Sequence, residues 1–135
     1  MPRWPESEGT IADRMDIRIV KGRVGPVQNG SLSPDGRSVL WLRVKDDVEM
    51  SPAILAIMAD WMPSAVGQAL GRDTHCTSLD NTIRILGIVP TEWVLCDIRV
   101  DGVRSGFVHG FMRLWSRKGD LLAIGSQSLI VRLRN

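Results

Sequence analysis

The sequence has few residues of the types that form covalent cross-links or metal sites: two cysteines and two histidines in 135 residues. Cys76 and Cys96 are too few for a disulfide framework, and together with His75 and His109 they lack the spacing of a zinc site. We therefore predict two reduced, incidental thiols, no bound metal and a cytoplasmic location.

Long hydrophobic runs and charge of one sign are also missing. No continuous apolar run approaches the roughly 18 residues that a membrane span needs, and the first five residues, MPRWP, lack the hydrophobic core of a signal peptide. The 17 Lys and Arg residues are scattered among 15 Asp and Glu residues, which gives a net charge of +2. This balance argues against a nucleic-acid-binding surface, so we expect neither nucleic acid nor a membrane as a partner.

The sequence does have enough apolar material for one core. Hydrophobic residues make up 44% of the chain, and a chain of this length corresponds to a single domain. Residues 1–12 are polar, contain two prolines and are typical of a flexible tail. The predicted organisation is a tail over residues 1–12 and one domain over residues 13–135.

Most of this domain has the alternation of apolar and polar residues that is typical of strands. Six segments show it: residues 15–24, 38–44, 77–87, 92–100, 105–115 and 121–133. The turn sequence at residues 33–36, Ser-Pro-Asp-Gly, favours a hairpin between the first two strands. Asp101-Gly102 and residues 118–120 are turn signals for further hairpins among the later strands.

One helix interrupts the strands, over residues 51–70. Ser51 is a good N-cap and Pro52 suits the first helical position. Apolar residues recur at spacings of three and four around most of the helix, which predicts a buried helix. Pro63 should kink or break it near residues 59–61, and Gly71 should end it. The fold class is therefore α+β.

The two faces of the fifth strand differ in composition. Val108, Gly110, Met112 and Leu114 form a face that suits the helix, whereas the opposite face carries Phe107, His109, Phe111, Arg113 and Trp115. The open edge of such a sheet favours a homodimer with a continuous sheet, and this aromatic face indicates a further contact between subunits. The sixth strand is apolar on both faces, which predicts an inner strand, and Gln127 within it is a buried amide that needs partners.

These elements and several short segments resemble the C-terminal half of the acyl-CoA thioesterase II family and its thioesterase-like relatives. The segments are residues 59–63 (ADWMP), 77–82 (TSLDNT), 92–95 (EWVL), 119–123 (GDLLA) and 126–127 (SQ). The resemblance extends from about residue 12 to residue 134. It implies a hotdog fold, in which a curved antiparallel sheet of about six strands wraps around one long central helix.

The resemblance also implies a set of catalytic residues. In that family an Asp of the helix, a Thr early in the following strand and a Gln near the C-terminus hold a water that attacks an acyl-CoA thioester. The matching positions are Asp60, Ser78 and Gln127, with Thr77 beside Ser78 as the alternative hydroxyl. No cofactor is implied. The family usually carries two hotdog domains in tandem and this chain matches the second, so we expect a homodimer or pairing with another hotdog half.

Other interpretations of the same residues stay open. Asp60, Ser78 and Gln127 could be structural, and the chain would then be a catalytically silent hotdog module that binds acyl groups or only assembles. A hotdog hydratase is less well supported, because no Asp–His pair stands at the expected loop. Asp80 fits an ion pair with Arg84 better than a supporting role at the site, and His109 fits an interface better than a catalytic base. Cys96 fits the core.

Overall fold

The computed structural model describes residues 9–22 and 32–133. Six strands form one antiparallel sheet in the order β1-β2-β4-β5-β6-β3, and two consecutive helices pack against it. The elements, in chain order, are β1 Met15–Lys21, β2 Arg37–Val44, α1 Pro52–Met58, α2 Met62–Leu70, β3 Thr74–Ile85, β4 Val94–Arg104, β5 Phe107–Ser116 and β6 Leu121–Leu133. The predicted architecture, a six-stranded antiparallel sheet around a central helical segment, is confirmed.

The N-terminal boundary is only partly visible. Most of the predicted tail, residues 1–8, lies outside the described residues, as do residues 23–24 at the end of the first predicted strand. The last part of that tail runs into a short 3₁₀ helix, Ile11–Arg14, which leads directly into β1.

The helical segment begins, breaks and ends where the sequence predicted. The Ser51 hydroxyl accepts a hydrogen bond from the Ile54 amide at 3.3 Å, which caps α1. Pro63 lies in the first turn of α2, where its lack of an N–H leaves no helical hydrogen bond unmade. In a continuous helix, the N–H of residue 63 would have to donate to the carbonyl of Ala59, and proline has no N–H. Gly71 ends α2 in the left-handed conformation, with φ of 67°. Asp60 therefore lies in the turn between the two helices.

The concave side of the sheet holds the core. The helices contribute Leu55, Met58, Met62, Ala65 and Val66, all of which are buried. By length and composition the segment Pro52–Leu70 would suffice to cross a membrane, with a mean hydropathy of 1.3, although polar residues such as Asp60 and Gln68 interrupt its apolar run. Its apolar stripe packs against the sheet, which accounts for that hydropathy without a membrane.

Alternation on β5 follows the prediction. Val108, Gly110, Met112 and Leu114 are buried toward the helices, and Phe107 and Phe111 are 44% and 46% exposed on the other face. β6 is an inner strand between β5 and β3, as expected. Cys96 is buried in the core.

The hairpin predictions are confirmed in part. The turns at residues 33–36 and 118–120 separate antiparallel neighbours, β1–β2 and β5–β6. The prediction of a turn at Asp101-Gly102 was wrong, because β4 continues to Arg104. The turn between β4 and β5 is Ser105-Gly106, with φ of 51° and 79°. Asp101 is instead the extra residue of a bulge. The prediction that the segment 77–87 lies beside the last strand is confirmed, because β3 is at the edge of the sheet and pairs with β6; it is not joined to β4 by a hairpin.

Candidate active site

Three side chains from three different elements meet at the turn between α1 and α2. Gln127 on β6 is 1% exposed. Its Nε2 donates a hydrogen bond to Asp60 Oδ1 at 3.0 Å and another to Ser78 Oγ at 2.9 Å. The sequence-predicted residues Asp60, Ser78 and Gln127 are therefore in direct contact through one amide group.

The break between α1 and α2 positions Asp60. Pro63 prevents a continuous helix, and the Asp60 amide instead donates to Ile57 O at 3.2 Å in a tight turn. The Asp60 side chain therefore projects from the turn between the two helices. One carboxylate oxygen contacts the buried amide of Gln127, whereas the residue as a whole is exposed. Its second oxygen is therefore free to contact water or a ligand.

A bulge in β3 positions Ser78. Ser78 pairs with Leu129 and Asp80 pairs with Ser128, so Leu79 is the extra residue between them. Residues opposite each other in an antiparallel pair point to the same face, and Leu129 points into the core. Ser78 therefore faces inward, toward Gln127. Its hydroxyl donates to the backbone carbonyl of Asp80 at 3.3 Å and accepts from the Gln127 amide.

The orientation of the Gln127 amide follows from its partners. A carboxylate only accepts hydrogen bonds, so the NH₂ group must face Asp60. The other amide atom, Oε1, is buried and accepts no hydrogen bond from the described residues. Gln127 thus has both donors engaged in the cluster and its acceptor unused.

A second polar group lies behind this cluster; the sequence analysis weighed Asp80 and His109 separately and missed Ser128, which joins them. Asp80 Oδ1 accepts a hydrogen bond from the backbone amide of Ser128 at 2.9 Å, and Ser128 Oγ lies 2.8 Å from His109 Nδ1. The predicted Asp80–Arg84 ion pair was wrong, because the bulge aims the Asp80 carboxylate at β6. His109 is half-buried and packs edge-on against Phe111.

The cysteine thiols are poor candidates for nucleophiles. Burial raises the pKa of Cys96 far above its ordinary value, and partial burial also raises the pKa of Cys76. A reactive cysteine needs a lowered pKa. Within the described ranges, no group of three or more His, Cys, Asp or Glu side chains could hold a metal.

Four cavities formed by the described residues lie on other parts of the molecule. One of about 240 Å³ is lined by Arg18, Trp41, Trp93 and Arg117. Another of about 370 Å³ follows the loop after β2. Two more lie beside Asp97 and beside Pro34. Asp60, Ser78 and Gln127 line none of these four.

Comparisons with known proteins identify the family and the fold of this chain. A family model described as the acyl-CoA thioesterase C-terminal domain matches residues 1–131. A solved structure of a candidate thioesterase from Novosphingobium aromaticivorans is 39% identical, with a TM-score of 0.72, and the match covers 87% of this chain and 43% of that one. No curated protein matches this chain significantly.

Two more distant structures show the fold. A hotdog-fold protein of unknown function from Alicyclobacillus acidocaldarius has a TM-score of 0.80 at 20% identity, over 99% of this chain and 52% of that one. A hypothetical thioesterase from Streptococcus pneumoniae, solved with coenzyme A, has a TM-score of 0.67 at 14% identity, over 88% of each chain. The predicted hotdog fold is confirmed, and the chain spans about half the length of the first two proteins.

Proposed function

Because the chain belongs to the acyl-CoA thioesterase C-terminal domain family, we propose that it hydrolyses acyl-CoA thioesters with Asp60, Ser78 and Gln127. One observation carries the proposal. A turn between helices, an edge strand and an inner strand each supply one polar side chain to a single hydrogen-bonded cluster. The two hydrogen bonds span 67 and 49 residues of sequence, so no local structure accounts for them.

In the proposed reaction Asp60 is the general base. One of its oxygens is held by Gln127, and the exposed oxygen orients a water beside the thioester carbonyl. The water transfers a proton to the carboxylate while its oxygen bonds to the carbonyl carbon. The tetrahedral intermediate then breaks its C–S bond, and the thiolate takes the proton back from Asp60. The products are a carboxylic acid and free coenzyme A.

Gln127 and Ser78 fix the base and the water. The buried Gln127 amide holds Asp60 in one orientation, which removes rotational freedom before the substrate arrives. Ser78 holds the same amide from the other side, and the oxygen of its hydroxyl can accept a hydrogen bond from the water. Serine in place of the family's threonine keeps this hydroxyl.

We further propose that the working unit contains a second hotdog domain, supplied by another copy of this chain or by another half. Asp60 and Ser78 are exposed in the single domain, although thioester hydrolysis needs an acyl chain and a controlled water to be enclosed. β3 forms an edge of the sheet. A domain that covered this edge would enclose the cluster and form a substrate cleft.

A catalytically silent hotdog module is the second candidate. The observation that favours it is the position of the cavities, since Asp60, Ser78 and Gln127 line none of the four described above. In that case the same hydrogen bonds would only connect the helical turn to the sheet. The two functions differ in turnover and not in fold.

The test is thiol release from acyl-CoA substrates of increasing chain length. Asp60→Asn keeps the shape of the side chain and removes the base, so we expect a loss of about 100-fold or more in kcat. Asp47→Asn, in the exposed loop after β2, is the matched control and should keep the wild-type rate. Equal rates for wild type and Asp60→Asn, or no wild-type turnover on any chain length, would refute the proposal.

A further inference from the structure

At the bulge in β3, one residue, Asp80, accepts hydrogen bonds from both β3 and β6. A bulge leaves one strand with an extra residue and disturbs the regular ladder. Here the extra residue, Leu79, is 56% exposed. The Ser128 amide, opposite the bulge, donates to the Asp80 side chain at 2.9 Å. A carboxylate thus supplies a hydrogen-bond acceptor for β6 at the disturbed position.

This hydrogen bond acts on the peptide group next to Gln127. The Ser128 N–H belongs to the same planar unit as the carbonyl of Gln127. Fixing that plane fixes the backbone rotation that aims the Gln127 side chain. On its far side, Ser128 contacts His109 Nδ1 at 2.8 Å, so β3, β6 and β5 are joined behind Gln127.

Asp80 also contacts the other partner of the amide. Its backbone carbonyl accepts the Ser78 hydroxyl proton at 3.3 Å. With that proton committed, a lone pair of Ser78 Oγ faces Gln127 Nε2, which it accepts at 2.9 Å. Asp80 is therefore hydrogen-bonded to Ser78, two residues before it on β3, and to Ser128, the residue after Gln127 on β6, without itself contacting the amide.

We propose that Asp80 is a positioning residue for the proposed hydrolysis, acting through the Ser128 amide and the Ser78 hydroxyl to aim Gln127 at Asp60. The inference rests on the proposed function for its kinetic consequence. It assigns a role to the hydrogen-bond acceptor of Asp80 and none to its negative charge. Asp80→Asn, whose Oδ1 still accepts from Ser128, should therefore retain what Asp80→Ala loses.

The kinetic test compares three variants in the thiol-release assay. A misplacement at this distance from the reacting atoms should lower kcat by about 10- to 100-fold. We expect that loss for Asp80→Ala with little change in KM, and at least partial recovery for Asp80→Asn. Asp101→Ala is the matched control, because Asp101 is an exposed aspartate at the bulge of β4 and should keep the wild-type kcat.

A spectroscopic test separates this inference from the proposed function. In NMR spectra, Asp80→Ala should shift the side-chain NH₂ resonances of Gln127 and speed hydrogen exchange of the Ser128 amide, whereas Asp80→Asn should leave both near wild type. These readouts need no turnover. If the wild type hydrolyses no acyl-CoA but the Gln127 resonances respond as stated, the proposed function fails and the positioning role stands.

Two results would overturn the inference. Unchanged Gln127 resonances in Asp80→Ala would show that the amide is aimed without the Asp80 carboxylate, since alanine keeps the backbone carbonyl that accepts from Ser78. Equal losses in Asp80→Asn and Asp80→Ala would show that the charge matters and the hydrogen bond does not. If Asp80→Ala does not fold, Asp80→Asn and the exchange rate of Ser128 in the wild type, compared with other buried β6 amides, still decide the question.

Discussion

The side-chain amide of Gln127 holds the carboxylate of Asp60 at 3.0 Å across 67 residues of sequence. The contact joins an inner strand of the sheet to the only turn between the two helices of the described chain. Because the amide is 1% exposed, a change at Gln127 should affect the stability of the fold as well as the proposed activity. The two effects can be separated by the choice of substitution and by pH.

Gln127→Glu should be destabilising in a pH-dependent manner. It places a buried carboxylate beside Asp60, and both burial and the like charge raise the pKa of the new acid in the folded state above its unfolded value of about 4.3. Ionisation of this group costs nothing at a pH where it is protonated in both states, and the ionisation cost grows as pH rises above the unfolded pKa. We expect a loss of about 3 kcal/mol in the free energy of unfolding near pH 7.

Urea unfolding at several pH values measures this effect. Gln127→Leu is the control, because it removes the amide without adding a charge, so its loss of stability should depend little on pH between about 4 and 7. Neither variant should release thiol at the wild-type rate. A Gln127→Glu protein as stable as wild type near pH 7 would contradict the burial and contacts of this side chain.

Gly110 and Gly125 form a second matched pair. A Cβ at Gly110 would lie 2.5 Å from Arg99 O and 2.8 Å from Met62 Sδ, whereas a Cβ at Gly125 would meet nothing closer than 3.7 Å. Gly110→Ala should therefore destabilise by about 1–3 kcal/mol, and Gly125→Ala should be nearly neutral. Thermal unfolding of the two variants checks this; similar melting temperatures would mean that α2 does not pack so closely on β5.

Asp16 and Arg43 predict an acid-sensitive contribution to stability. The hydrogen bond from Arg43, with the nearby charges of Arg43, Arg18 and Lys45, lowers the pKa of Asp16 below its ordinary value despite partial burial. A carboxyl group with a depressed folded-state pKa stabilises above its unfolded pKa and loses that contribution as pH falls through the folded-state pKa.

Asp16→Asn should therefore cost about 0.5–1 kcal/mol near pH 7, and its difference from wild type should vanish well below pH 4. Asp47→Asn, in an exposed loop, should show no such pH dependence. Chemical unfolding at neutral and acidic pH gives both values. A constant difference between Asp16→Asn and wild type at all pH values would mean that the ion pair is not its cause.

Local chemistry was enough to predict the elements with strong positional signals. Ser51, Pro63 and Gly71 determine where the helices begin, break and end, because each residue permits or forbids a particular backbone conformation. The alternation on β5 identified its buried face for a similar reason, since side chains of a strand alternate strictly.

Pairing between strands was much harder to predict. Asp101-Gly102 is a strong local turn signal, yet the turn forms at Ser105-Gly106, where Arg104 pairs with Phe107 and Val103 with Val108. The register of the longer ladder decides between such alternatives. The bulge at Leu79 has no sequence signature of its own, so the sequence analysis predicted an ion pair between Asp80 and Arg84. The three proposed catalytic residues came from the family resemblance, since no spacing rule brings Asp60, Ser78 and Gln127 together.

The last prediction concerns assembly through the edge strand β3. It is 12 residues long, it ends the sheet next to β6, and the side chain of Leu79 on it is 56% exposed. Unpaired edges of this length favour pairing with another strand. We expect a homodimer at micromolar concentration, with a mass by light scattering of roughly twice the 15.0 kDa of one chain.

Two substitutions identify the interface. Leu79→Asp adds a charge to the β3 edge, and in a symmetric dimer it does so twice, so dissociation should become at least about tenfold easier, which corresponds to roughly 1.4 kcal/mol. Phe111→Asp, on the exposed aromatic face of β5 at 46% exposure, should keep the dimer. The opposite pattern would move the interface to the aromatic face, and a wild-type monomer would leave the edge uncovered. Because Ser78 lies on the same strand, a monomer would also require the proposed site to work without a second domain around it.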